Sequence, residues 1–285
     1  MFYMHLRYPG GKRKAVTFSY DDGVPQDIRL ADLFTKYGLK ATFNFNSASC
    51  RAKIFSKEEV EERFISKGHE IAVHGALHRA NGMLRPIEGI RDVLDCRMEL
   101  EERYDRIIRG MAYPSSGVAR TGIHVSYEQV KQYLVELDIA YARTLGGDND
   151  SFFLPQDFHR WMPSAHHNNP KMMEYVDKFL ELDLSDNVPY PRREPRLLYI
   201  WGHSYEFDKN ENWDMMETIC EKLAGNDEIW YANNMQICSY VEAYKRLELS
   251  ANQRIIHNPT AQTVWFEADN KQYCINPGET IRVED

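Results

Sequence analysis

Two adjacent carboxylates, Asp21 and Asp22, close one apolar run, and two histidines four residues apart, His74 and His78, follow another. Neighbouring carboxylates raise one another's pKa, so an Asp-Asp pair calls for a cation or for donors beside it. Imidazoles at i and i+4 face one way when the second lies on a helical turn, the spacing found where two histidines share a metal. Taken singly, each has a plain explanation: a solvated Asp-Asp-Gly turn, or two unrelated surface histidines. Together, one carboxylate and two imidazoles make a facial set that leaves positions open for water and substrate, as in zinc hydrolases, and other divalent ions fit it too. The remaining carboxylate can then accept a proton.

These residues need a scaffold that brings distant segments together. Residues 14–20 (KAVTFSY) are rich in β-branched and aromatic side chains and read as a buried strand ending in the polar turn Asp21-Asp22-Gly23. Residues 26–37 carry apolar positions at helical spacing and stop near Gly38, and residues 40–46 alternate as a strand. The pattern then repeats, with helices expected over 57–67, 86–108, 130–138, 171–183, 213–224 and 238–249. Strands are expected over 69–73, 110–113, 140–144, 196–202 and 229–232. Repeated strand–helix units imply parallel strands covered by helices, and this many imply a closed or nearly closed barrel, an α/β fold. In such barrels the active site lies at the C-terminal strand ends. Asp21 and Asp22, His74 and His78, the loop Tyr113-Pro114-Ser115-Ser116-Gly117, and Gly202-His203 all fall there. From residue 250 short alternating segments separated by Asn-Pro and Asp-Asn turns read as β-hairpins, giving a barrel over 1–249 and a small β extension over 250–285.

Composition narrows the function. The chain has 285 residues, enough for one large barrel, and a formal net charge of −8, which disfavours a nucleic-acid partner. The one dense basic cluster, Lys12-Arg13-Lys14, reads as a solvated turn. Five scattered cysteines without a C-x-x-C pair argue against a disulfide framework and suit a reducing compartment. The N-terminal segment shows no secretory pattern and there is no apolar run of about 18 residues, so the expected location is cytoplasmic, off the membrane.

Three segments then carry a family resemblance. Phe18-Ser19-Tyr20-Asp21-Asp22-Gly23 resembles the T-F-D-D-G opening of the polysaccharide deacetylases of carbohydrate esterase family four. The stretch from Gly68-His69-Glu70-Ile71 to His74-Gly75-Ala76-Leu77-His78 resembles the family's H-[ST]-x-x-H motif, and Leu197–His203 its last strand. The similarity spans residues ~14 to ~245 in the family's order; the first two motifs together are specific, the last is weak alone. It implies a distorted (β/α) barrel of about seven strands and a divalent metal, zinc above cobalt, nickel or manganese, on Asp22, His74 and His78. It further implies Asp21 as base, a metal-bound water as nucleophile and His203 as general acid. The implied substrate is an N-acetylated (or O-acetylated) sugar or oligosaccharide. The family's R-x-P-Y-G appears here only as Ala112-Tyr113-Pro114-Ser115-Ser116-Gly117, without the arginine, and D-x-x-D-W is not recognisable. Arg143 is the candidate for the missing cation and Trp161 or Trp201 for the missing aromatic wall, while Tyr113, Pro114 and Ser115 are placed by the resemblance at the substrate oxyanion. Gly75 stands where the family has Ser or Thr. These departures keep two alternatives open: an amidohydrolase acting on a small cyclic imide or ureide, and a carbohydrate-binding protein without catalysis. His166 and His167 read as a loop pair, with the substrate pocket or the metal face as the alternative place for them, and a homo-oligomer is left open.

Overall fold

The structure, a computed structural model, describes residues 3–48, 55–185 and 193–284. Cys50 lies outside the described residues; Cys96, Cys220, Cys238 and Cys274 are free thiols. The chain opens with strands β1 (Met4–Arg7) and β2 (Lys14–Asp22), helix α1 (Gln26–Lys36), β3 (Ala41–Phe45), α2 (Lys57–Arg63) and β4 (Glu70–Val73). It continues with α3 (Pro86–Tyr104), β5 (Gly110–Ala112), α4 (Tyr127–Glu136), β6 (Tyr141–Arg143), β7 (Ala165–His166) and α5 (Met172–Leu180). Next come β8 (Arg196–Gly202), α6 (Tyr205–Lys209), α7 (Trp213–Leu223), β9 (Ile229–Tyr231) and α8 (Asn234–Lys245). The last strands are β10 (Glu248–Leu249), β11 (Ile255–His257), β12 (Val264–Ala268), β13 (Lys271–Ile275) and β14 (Thr280–Arg282).

The main sheet is parallel, in the order β6-β5-β4-β3-β2-β8-β7, with β9 paired to the first residues of β2. It curls until its ends meet: Arg143 bridges Trp161, whose N–H donates to Ala142 O at 3.1 Å, while Ser164 N–H donates to Tyr199 O at 2.7 Å on the far side. This is the expected (β/α) barrel of seven strands. The short β7 that closes it was not expected from sequence, since two residues carry no period to read.

Every residue of β2 is buried, but the two faces differ in chemistry. Val16, Phe18 and Tyr20 pack under the helices, with Phe18 and Phe34 of α1 at 4.5 Å between ring centroids. A buried Phe of this kind contributes roughly 1.5–3 kcal/mol. Alternating with them, Thr17, Ser19 and Asp21 bond to Asn234, Asn44 and, for Asp21, to Asn44 and Arg143. On β4 the same alternation sends Ile71 and Val73 to the helical layer and Glu70 and His74 inward. The barrel interior thus carries paired polar side chains beside an apolar cluster that includes Ala15, Leu197 and Tyr199, and its upper end is the candidate site.

Three expectations need correction. Helix α8 begins at Asn234 rather than at 238, because Asn233 caps it: its side chain accepts Gln236 N–H while Gln236 reaches back to the Asn233 backbone. Lys12-Arg13-Lys14 is no solvated turn. Lys12 donates to Ile229 O at 3.1 Å, Lys14 to Leu180 O at 2.7 Å and Arg13 to Leu184 O, so the three cations cap carbonyls around the barrel floor. The β extension, finally, is not made from residues 250–285 alone. β1 pairs antiparallel with β12 in the sheet β1-β12-β13, and β10 joins β11 and β14 in a second. An N-terminal strand of four residues, read alone, gives no hint that its partner lies some 260 residues away.

A buried ion cluster locks this extension to the barrel. Glu267 of β12 takes Arg7 Nη2 at 2.6 Å and Arg13 Nη2 at 2.8 Å on Oε2, and Arg193 on Oε1. Arg7 and Glu267 are both buried. Glu267→Ala strips the carboxylate from the buried Arg7 guanidinium and from the partly exposed Arg13 and Arg193. The expected cost is about 3–5 kcal/mol, read as a melting point lower by roughly 6 °C or more; an unchanged melting curve would refute the role.

Candidate active site

Each barrel strand delivers its contribution at its C-terminal end. In sheet order these are Arg143 from β6, the Ala112 carbonyl from β5, His74 just beyond β4, Asn44 from β3, Asp21 and Asp22 from β2, His203 beyond β8 and His166 from β7. In a regular strand Asp21 and Asp22 would face opposite sides. Asp22 has φ 85°, a left-handed conformation costly for a residue with a Cβ, and both carboxylates come within 4 Å of one imidazole: His74 Nε2 is 3.8 Å from Asp21 Oδ2 and 3.6 Å from Asp22 Oδ1. His78 Nε2 lies 3.3 Å from the same Asp22 oxygen. Asp21, Asp22 and His74 are buried, and His78 is partly open.

Asp22, His74 and His78 fit a metal ion. Bonds of about 2.0–2.2 Å in a tetrahedral set imply ligand–ligand edges of roughly 3.3 Å, close to the spacings here. His74 Nδ1 sits 2.9 Å from Ala112 O, an acceptor, so the ring hydrogen is on Nδ1 and the Nε2 lone pair is free. Burial lowers the His74 pKa, which keeps the ring neutral. Nε2 is buried with no hydrogen-bond partner. A buried acceptor left open toward a carboxylate is costly without a cation and expected with one.

Asp21 is held differently. Asn44 donates to its Oδ1 at 2.9 Å and the fully buried Arg143 guanidinium to its Oδ2. Burial alone would raise its carboxyl, but Arg143, His74 and His203 outweigh it and hold the group below the ordinary carboxylate range. Arg143 also stacks on Trp201, 4.4 Å from the ring centroid. The cation absent from the third sequence motif is therefore present in space. Asn44 and Asn46 were missed from sequence; Asn46 donates to Gly75 O at 3.0 Å, bracing the turn after His74. The signal was there, since asparagine is disfavoured in strands and Asn44-Phe45-Asn46 puts two on one face.

The other expected residues divide. Trp201 lies beside His166 at 4.6 Å and His203 at 5.8 Å between ring centroids, on the site. Trp161 does not: it is buried against Tyr141, Phe158 and Tyr199, which leaves Trp201 as the tryptophan beside the histidines. Tyr113 is also spent on the fold, its hydroxyl donating to His159 O and its N–H to Arg143 O, both at 2.9 Å. Its neighbour Ser115 has φ 52°, and Gly117 N–H donates to Pro114 O.

His166 and His167 are not a bystander pair. With Glu206 they form a second group able to contact one cation, and Glu206 Oε2 lies 3.2 Å from both Nε2 atoms. The tautomers separate the two groups. His166 Nδ1 accepts Asn168 N–H at 3.1 Å, so the ring hydrogen must sit on Nε2, which faces the carboxylate and cannot ligate. Glu206 is instead the anion of a histidine cluster, its Oε1 being 3.2 Å from His203 Nδ1. Burial would lower the His203 pKa, but the Glu206 hydrogen bond together with Asp21 and Asp22 raises it.

The sequence profile of the polysaccharide deacetylase family matches residues 8–133. No curated protein sequence matches the chain. Among solved structures, a Mycobacterium smegmatis protein described as a polysaccharide deacetylase is 16% identical with a TM-score of 0.55, covering 85% of this chain and 94% of that one. The Xyl-CE4 domain of a multidomain xylanase from the hindgut metagenome of Trinervitermes trinervoides is 16% identical with a TM-score of 0.50, over 81% and 92%. Puue allantoinase is 12% identical with a TM-score of 0.56, over 81% and 91%. At these identities the structural likeness is one of fold. No helix among the described residues is long and apolar enough to cross a membrane.

The two tautomers set a stoichiometry. After reconstitution, elemental analysis should find about one zinc per chain, retained in His166→Ala and lost in His74→Ala. Two ions per chain, or loss in His166→Ala, would overturn the assignment of ligands to the first cluster alone.

Proposed function

We propose that this chain, whose residues 8–133 match the polysaccharide deacetylase family, is a metal-dependent hydrolase that removes acetyl groups from N-acetylated or O-acetylated carbohydrate. The observation that carries the reading is the open, buried His74 Nε2 facing Asp22, with His78 completing the trio and a tethered carboxylate alongside. A divalent ion on that trio would supply an acidified water and polarise the scissile carbonyl.

The chain's own groups then divide the proton work. Asp21, kept ionised by Arg143 and Asn44, is the base that takes a proton from the attacking water. Its two fixed oxygens allow little rotation, so the acceptor stays beside the trio. His203, held through Nδ1 by Glu206 and raised in pKa, is protonated in greater share at neutral pH and donates to the departing nitrogen or oxygen. Trp201 offers a ring face beside both, suited to the apolar face of a sugar. Since the Tyr113 and Gly117 amides are engaged within the fold, Ser115 and Ser116 are the backbone donors proposed for the carbonyl oxygen, worth about 3–4 kcal/mol per donor.

Two measurements test this. Asp21→Asn should retain zinc and lose turnover of N-acetylated oligosaccharides by 10²-fold or more; full activity would sink the assignment, and turnover of cyclic imides in place of acetyl sugars would move the substrate class to a small amide. The second is a pH profile. A raised His203 supplies its proton below its pKa and loses it as pH climbs through that value, so kcat/KM should fall on the alkaline side. Glu206→Gln removes the leading support for the imidazolium and should move that falling limb to lower pH. An unmoved limb would exclude His203 as the acid.

A further inference from the structure

Outside the trio, a buried carboxylate, Asp92 of α3, borders the same loop. Its side chain is buried beneath the turn that links His74 to His78. Oδ1 accepts Leu77 N–H at 3.0 Å and lies 3.5 Å from Arg79 Nε, while the Asp92 carbonyl accepts Ala76 N–H at 3.0 Å. Oδ2 has no hydrogen-bond partner and lies against Gly75, where an added Cβ would come within 2.4 Å of it. One helical residue thus touches Gly75, Ala76, Leu77 and Arg79, the positions that flank and separate the two imidazoles.

That turn needs an anchor. Gly75 has φ 71° and His78, with a Cβ, has φ 55°. A left-handed histidine persists only where its surroundings over-determine it. Asn46 braces the turn at Gly75 O, and Ala48 N–H donates to Ala76 O at 3.0 Å; at Leu77, the residue before His78, the anchor is Asp92.

We propose that Asp92 is a positioning residue for the second imidazole: it fixes the 75–79 turn so that His78 meets Asp22 and His74, and its carboxylate adds to the left-handed backbone in requiring glycine at residue 75. The Ser or Thr expected there from the family pattern would drive its Cβ into Asp92, so the turn is held by an aspartate from the neighbouring helix. This rests on the reading of Asp22, His74 and His78 as a metal site.

The test is zinc affinity by chelator competition, with thermal melting alongside, for wild type, Asp92→Asn, Asp92→Ala, Gly75→Ser and the Asp92→Ala/Gly75→Ser double variant. Asp92→Ala should bind zinc about 10–100-fold more weakly, the usual effect of removing a group that orients a ligand. Asp92→Asn keeps an acceptor for Leu77 N–H and should recover most of that loss. Gly75→Ser should weaken binding more in the Asp92 background than in the Asp92→Ala background, where the clash with Oδ2 is gone and the strain of the left-handed backbone remains. Wild-type affinity in Asp92→Ala, or an equal Gly75→Ser penalty in both backgrounds, overturns the proposal while zinc binding lost in His74→Ala leaves the metal site standing. A wild type that binds no zinc overturns the metal site itself and the positioning role with it. Should Asp92→Ala fail to fold, Asp92→Ser, whose shorter side chain no longer reaches residue 75, takes its place alone and combined with Gly75→Ser, with the same outcomes.

Discussion

The buried pairing of Arg143 with Asp21 is the interaction around which this molecule is organised. Arg143 ends β6, at the seam where the curled sheet meets the Trp161 segment, and Asp21 ends β2 at the centre of the sheet. The same arginine therefore closes the barrel through its backbone and crosses the mouth through its guanidinium. A buried ion pair need not add net stability. Its value here is geometric: it leaves one carboxylate of an adjacent pair neutralised by protein and the other, Asp22, facing only imidazoles.

That division explains why two neighbouring aspartates can serve different chemistry. Asp21 has both oxygens engaged by Asn44 and Arg143, so its orientation is fixed and its charge balanced. Asp22 is turned by a left-handed backbone toward His74 and His78, where a cation is the natural complement. The same logic, applied to hydrogen positions, tells the two histidine clusters apart. His74 gives its ring hydrogen to a carbonyl and keeps a lone pair facing inward, whereas His166 accepts from a backbone amide and must present a hydrogen. Donor distances alone would have made them equivalent.

The polar column beneath the site is a second consequence of the parallel barrel. Helices cover the faces of β2 and β4 that carry Val16, Phe18, Ile71 and Val73, while Thr17, Ser19, Asn44 and Glu70 point in, each bonded to a partner within the barrel. Glu70 shows how complete the pairing is: it takes Thr42, Tyr141 and the N-terminal amide of Met235. Burial still lifts its carboxyl to about 7. A interior of this kind resists repacking, because removing one member leaves another unsatisfied.

Much of this was legible in the residues. Alternating strand and helix periods implied the barrel, and Asp21, Asp22, His74, His78 and His203 follow apolar strands that had to end on one face. Local sequence determined those elements because hydrophobic periodicity and turn chemistry act over a few residues. What it could not decide was pairing across the fold. Arg143 meeting Asp21, Glu206 gathering three imidazoles, Asp92 filling the space that Gly75 leaves and β1 completing the extension's sheet all join residues that no local period connects. Trp161 and Tyr113 have the composition of substrate contacts, yet packing buried them. Burial, hydrogen direction and the room for a single Cβ are properties of the assembled structure, so only tertiary packing could assign them.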